Sequence, residues 1–367
     1  MNLSQLRTVA CAALLVGASV LSVQAQGDHF SNQPRISVVA STVPANGEVN
    51  PYGIARIPRS SGSLLKGNIL ISNFNNSANL QGTGTTIVQV APDGTSGLFA
   101  QIDASSLPEP CPGGVGLTTA LAVLRTGWVI VGSLPTTDGT AATAQAGCLL
   151  VLDNHGNVAE TFYGSLINGP WDMTAWDAGS TADLFVTNVL NGTVAAGGKV
   201  VHKGTVVRLT LDINSGSVPV LQSITVIGSG FPERTDPAAL VIGPTGLGLD
   251  ADADTIYVAD SLNNRVAAIR HPGFRDTSAG IGATVSQGRS LNDPLGLTVA
   301  PDGNILTVNG NDGFLVETTP RGDQIRSVLL DSSGNPPGAG ALFGFIDVRG
   351  VGIYFVDDAS NTLNLFH

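Results

Sequence analysis

Positive charge is scarce in this chain: 17 Lys and Arg stand against 28 Asp and Glu, for a formal net charge of −11. No basic cluster offsets that balance, which argues against nucleic acid and anionic membrane surfaces as partners. Charged residues make up only 12% of the chain while Gly numbers 46, a composition of short strands and tight turns rather than helices. Long apolar runs are lacking too. The stretch from Val9 to Val20 falls short of the ~18–20 residues that a membrane span needs. With Arg7 ahead of it and Val23-Gln24-Ala25 behind, it reads as a signal peptide over residues 1–25, cleaved before Gln26. The mature chain is then expected in the periplasm or the medium, with residues 26–367 as one domain. Loss of the leader removes Cys11 and leaves Cys111 and Cys148, which are expected to pair as a disulfide in an oxidising compartment.

Familiar catalytic signatures are missing as well. There is no Gly-x-Ser-x-Gly elbow, no His-Glu-x-x-His and no P-loop. His29 and His367 stand at the mature ends, His155 in an Asp-Asn-His-Gly turn, and His202 and His271 beside outer strands. None is expected at a central site, so zinc ligation or a His base there is not supported.

What is present is a repeated phrase, four apolar or small residues closed by a small polar one. Its copies are Ile69-Leu70-Ile71-Ser72-Asn73, Val129-Ile130-Val131-Gly132-Ser133, Leu184-Phe185-Val186-Thr187-Asn188, Ile256-Tyr257-Val258-Ala259-Asp260, Ile305-Leu306-Thr307-Val308-Asn309 and Ile353-Tyr354-Phe355-Val356-Asp357. Successive closing residues lie 48 to 72 positions apart, which is the signature of a radial array of four-stranded blades. Each phrase follows an opening of the Pro-x-Gly type: Pro51-Tyr52-Gly53, Pro244-Thr245-Gly246 and Pro294-Leu295-Gly296. Degenerate openings are Thr118-Thr119-Ala120, Pro170-Trp171-Asp172 and Leu342-Phe343-Gly344. The last repeat supplies only three strands before the chain ends, and Arg35 to Val39 can supply the fourth. The expected fold is all-β, a six-bladed β-propeller of four-stranded antiparallel blades closed by the N-terminal strand, which leaves no open edge.

The Pro-x-Gly opening, the Asp-Gly turn at Asp302-Gly303 and the run Ile256-Tyr257-Val258-Ala259-Asp260-Ser261-Leu262-Asn263-Asn264-Arg265-Val266 resemble the NHL repeat. That resemblance implies a propeller and does not by itself choose among binding modules, lyases and sensors.

Two rings of residues are expected to meet on one face near the central channel. One consists of the middle residues of the openings: Tyr52, Thr119, Trp171, Thr245, Leu295 and Phe343. The other consists of the closing residues Asn73, Ser133, Asn188, Asp260, Asn309 and Asp357. An aromatic collar beside oxygen-bearing side chains suits a polar small molecule, with Tyr52, Trp171, Phe343, Asn73, Asn188, Asp260, Asn309 and Asp357 as ligand-binding residues. The same Asn and Asp side chains also suit turn capping. The leading expectation is a monomeric module that binds a protein or small polar ligand on this face, with no catalysis and no cofactor. The alternative is a lyase or lactonase with calcium or zinc held by Asp260, Asp357 and Asn309. Paraoxonase-type calcium lactonases place polar ligands at the openings, where this chain carries mainly aromatic and apolar residues. Asp250-Ala251-Asp252-Ala253-Asp254 begins like a calcium loop, but Thr255 replaces the required Gly and Ser261 the closing Glu. It reads as an acidic turn, and Arg321-Gly322-Asp323 as a hairpin turn. A third possibility is a contact carried by an insertion over Asn214 to Asp236.

Overall fold

The computed structural model describes residues 34–214 and 217–367, so the signal-peptide reading and Cys11 lie outside the described residues. Six antiparallel sheets surround a central channel, five with four strands and one with five. Each closing phrase lies in the second strand of its sheet, and its last residue pairs in register with an inner-strand residue at or just before the opening. Pro51 faces Asn73, Pro170 faces Asn188, Pro244 faces Asp260, Pro294 faces Asn309 and Leu342 faces Asp357. The ring closes as expected: strand Ile36–Ser41 pairs antiparallel with Thr362–Phe366 at the outer edge of the last sheet.

The openings owe their composition to crowding around the channel. Every inner strand breaks register across its opening, for example between Pro294 and Leu297 and between Leu342 and Phe345, whether or not the opening begins with proline. The third opening residue then lies against the neighbouring inner strand. A Cβ on Gly296 would fall within 3.0 Å of the Phe343 carbonyl oxygen, and one on Gly344 within 3.0 Å of the Tyr52 carbonyl oxygen. Glycine is needed there for close backbone approach. The third blade has Asp172 instead, and its carboxylate reaches across to accept the Leu247 N–H at 2.9 Å.

Burial follows strand position. The second strand Ile305–Asn309 is buried throughout, while the outermost Gln324–Leu329 alternates half-buried and exposed, as a strand with one wet face must. The Cys111–Cys148 disulfide is formed and closes a loop of 37 residues in the second blade. Its replacement by two serines should lower stability by about 2–4 kcal/mol on the chain-entropy model. A urea midpoint unchanged from wild type would sink that estimate.

Most of the expected insertion is strand. Val220–Asp236 is one 17-residue strand, which completes the third blade and then bends over the channel face. There its end pairs with the short fifth strand Leu240–Ile242.

Candidate functional site

The closing residues hold loops rather than face the channel. Asn73, Ser133, Asn188, Asp260 and Asn309 have no exposed surface, and Asp357 has 8%. Nδ2 of Asn73 donates to the Thr42 carbonyl and to Thr86 Oγ1, at 3.2 and 3.1 Å. Ser133 Oγ donates to the Gly114 carbonyl at 3.0 Å. Asn188 Oδ1 accepts the Gly169 N–H at 3.4 Å. Asn309 donates to the Ser290 carbonyl at 2.7 Å and accepts the Asn292 N–H at 3.1 Å. Asp357 accepts the Ser360 N–H at 3.1 Å. Asp260 is ion-paired with Arg265 at 2.7 Å, and Asn263 donates to the same oxygen at 2.9 Å. The acidic turn behaves similarly, with Asp250 accepting the Ala253 N–H at 2.9 Å.

The opening residues do converge, as a plug. Tyr52 stacks on Phe343 with ring centroids 3.9 Å apart and on Phe74 at 4.4 Å, and Trp171 lies 6.5 Å from both Tyr52 and Phe343. All four rings are buried, and burial, with the Asp358 charge behind it, pushes the Tyr52 hydroxyl well above its usual range. Thr119 lines the cavity on the far side of the plug. Thr245 Oγ1 is tied to Ser261 Oγ at 2.7 Å and to the Pro294 carbonyl at 3.1 Å.

Above the plug opens a cavity of about 750 Å³. Its floor is Tyr52, Leu295 and Phe343, and its walls include Asp293, Asp358, Arg234 and Asp236. Asp358 is the first residue of the turn that follows the strand Gly352–Asp357, and it lines the cavity. Burial pushes its carboxyl up to about 7, and the Asp357 charge adds to this. Asp293 precedes the fifth opening with φ +55°, a left-handed conformation that Asp tolerates better than most residues. Burial pushes it up to about 6, helped by Asp236 and opposed by Arg234. No hydrogen bond contributes to either shift. Arg234 is held by Asp236 at 2.8 Å, and the hairpin carrying both residues is fastened across the mouth by Gln81, which donates to the Ala238 carbonyl at 3.2 Å.

A second cavity of about 240 Å³ lies beyond the plug, lined by Asp172, Leu121 and Leu297 among others. Burial pushes Asp172 up to about 7. Its two oxygens accept the Met173 and Leu247 N–H groups at 2.8 and 2.9 Å, so it serves as a tie between the third and fourth blades.

Of the expected site residues, then, Tyr52 and Phe343 line the cavity with Leu295, while Trp171 backs the plug. Asp293 and Asp358 are not among the expected site residues, whereas Arg234 and Asp236 fall within the insertion Asn214 to Asp236 expected to carry a contact.

No protein-family model and no curated protein matches the chain by sequence. Solved structures do match it by shape. A gluconolactonase from Xanthomonas campestris superposes with TM-score 0.56 at 13% identity, over 92% of this chain and 90% of that one. A calcium-binding protein, regucalcin, from Agrobacterium tumefaciens gives 0.56 at 12%, over 89% and 92%. An aldose sugar dehydrogenase from Streptomyces coelicolor, solved with PQQ bound, gives 0.54 at 15%, over 92% and 100%. The chain is a six-bladed β-propeller. At these identities the likeness extends to the fold and does not single out NHL repeats.

The expectation of a propeller without a cofactor is corrected by these comparisons, since the matched structures include a calcium-binding protein and one with PQQ bound. Zinc does not suit the cavity, which no histidine lines. PQQ, a tricarboxylate, would meet three aspartates and one arginine that is already paired. Calcium finds oxygen donors of the right type in Asp236, Asp293 and Asp358. However, among the described residues no three His, Cys, Asp or Glu side chains converge, short of the 6–8 oxygens calcium gathers.

Proposed function

We propose that this propeller is an exported enzyme that turns over a small polar molecule in the channel-face cavity. The reaction class would be hydrolysis of a lactone or related ester, with Asp293 as general base and Asp358 as general acid. The observation that carries this reading is that two carboxyls lining one cavity are both raised by burial toward neutral pH, to about 6 and about 7, the range in which a general acid and a general base work. The gluconolactonase and the sugar dehydrogenase of the same fold support an enzyme over the non-catalytic binding module expected from the sequence.

In the reaction, ionised Asp293 takes a proton from water as its oxygen attacks the carbonyl carbon. The carbon–oxygen bond of the ester then breaks, and Asp358 gives its proton to the departing oxygen. One water is consumed and a hydroxy acid is released. The two carboxyls finish with exchanged protonation and reset with solvent.

The pH dependence follows from the signs. Activity rises as Asp293 ionises above about 6 and falls as Asp358 loses its proton above about 7, so kcat/KM should peak between those values. A panel of γ- and δ-lactones assayed from pH 5 to 8 tests this. A flat profile would reject the assignment, and no turnover of any lactone or ester would reject the reading.

Export rests on the leader at residues 1–25 and on the Cys111–Cys148 disulfide, which suits an oxidising compartment. No described helix is long and apolar enough to cross a membrane. Sequencing of the secreted protein should find Gln26 first, and light scattering should find a monomer. The fourth blade's Ile256 to Val266 phrase supports an NHL-type repeat.

A further inference from the structure

Two turns of the channel face clasp Asp293 between the fourth and fifth blades. Asn264 Oδ1 accepts the Asp293 N–H at 2.6 Å, and the Gly310 N–H donates to the Asp293 carbonyl at 2.8 Å. The residue after Gly310 is Asn311. A carboxamide therefore stands at either end of the residue proposed as general base, and both line the same cavity.

The two amides turn opposite ends to that cavity. Asn264 uses its oxygen on a backbone N–H, so its Nδ2 remains as a donor. Asn311 is oriented by a relay. Asn292 Nδ2 donates to Asp312 Oδ2 at 2.8 Å, and a carboxylate oxygen only accepts, so Asn292 Oδ1 takes the Asn311 Nδ2 at 3.2 Å. Asn311 Oδ1 is left as an acceptor. Among the described residues neither Asn264 Nδ2 nor Asn311 Oδ1 has a partner. Both can be reached, because Asn311 is exposed and Asn264 half-buried.

Asn335, on the connection to the sixth blade, adds a third, exposed amide to the lining. The apolar lining offers little beside these groups, since Tyr52, Ile242, Leu295 and Phe343 are each only 3–5% exposed. Recognition then falls to neutral donors and acceptors. They match hydroxyl groups, which both donate and accept, better than a charge or an acyl chain.

We propose that Asn264 and Asn311 are specificity-determining residues, selecting an uncharged lactone or ester with hydroxyl groups on both sides of its scissile bond. One hydroxyl accepts from Asn264 Nδ2 and another donates to Asn311 Oδ1. This rests on the cavity being the site of turnover. It leaves Asp293 and Asp358 to the proton transfers, since neither has to hold the substrate. An analogue lacking a hydroxyl leaves an amide unpartnered in the complex, which is how such sites reject it.

Calorimetric titration of the mature protein with lactams, which keep the ring and resist hydrolysis, tests the proposal apart from turnover. 2,3,4-Trihydroxy-δ-valerolactam should bind at least about tenfold more tightly than δ-valerolactam. Asn311→Leu, checked for an intact thermal transition, should remove most of that preference. Equal binding of the two lactams, a preference that survives in Asn311→Leu, or tighter binding of 3-hexanoylamino-δ-valerolactam, which exchanges the hydroxyls for an acyl chain, would each overturn it. Preference for the hydroxylated lactam with no turnover of any ester would reject the proposed reaction and leave this inference standing. Turnover of unsubstituted lactones that the hydroxylated lactam does not inhibit would do the reverse.

Discussion

Replacing Asp358 by Asn should lower kcat/KM for ester or lactone hydrolysis by about 10²–10⁴-fold, the span typical of a lost general acid. The amide keeps the shape of the side chain and removes the proton that the leaving oxygen needs. Thermal stability should move the other way. The native carboxyl is raised to about 7, above the unfolded value, so its protonated form is the one that folding favours. Its contribution is fully present in acid and is lost as pH rises toward the folded value. The variant has no such loss, so its melting temperature relative to wild type should be higher at pH 8 than at pH 4. An inactive variant that also melts early at pH 8 would show that Asp358 supports the fold instead.

The second large effect concerns Arg265. Its guanidinium and the Asp260 carboxylate are almost wholly buried together, with side chains 4% and 0% exposed. Arg265 also donates to the Ile281 carbonyl at 2.8 Å and to Thr284 Oγ1 at 3.1 Å. Arg265→Met strands the carboxylate without a counter-charge and should cost about 3–5 kcal/mol. Adding Asp260→Asn should recover part of that loss, because the remaining group is neutral. Guanidinium denaturation of the single and double variants measures both. A loss below about 1 kcal/mol for Arg265→Met would mean that another cation already compensates Asp260, as a metal ion there would.

Much of this architecture could be read from the chain before its coordinates. The openings and closing phrases mark the inner and second strands, and the pairings of Pro244 with Asp260 and Pro294 with Asn309 set them on one face. The rim of the cavity was harder to read, for a local reason. A closing residue such as Asp357 ends a strand with its side chain turned into the blade, while the neighbouring Asp358 turns to the channel. Asp358 belongs to the turn after the strand, where the period of two no longer says which way a side chain faces. Asp293 was hidden differently, as an unremarkable turn residue before proline. Arg234 and Asp236 reach the mouth only through the bend of Val220–Asp236, which no local pattern encodes. The glycines of the openings were legible as a motif, but their cause, the passage of the next inner strand, belongs to the ring as a whole.

The pairing of Ile36 with Phe366 also orders events in time. The strand that completes the last blade is synthesised about 330 residues before its partner. Until then the sixth sheet keeps a bare edge, and closing so long a loop is entropically opposed. A permuted gene that joins His367 to Pro34 by a short linker and opens a surface turn elsewhere would make that closure a local hairpin. Such a chain should refold faster than the natural one while reaching the same ring.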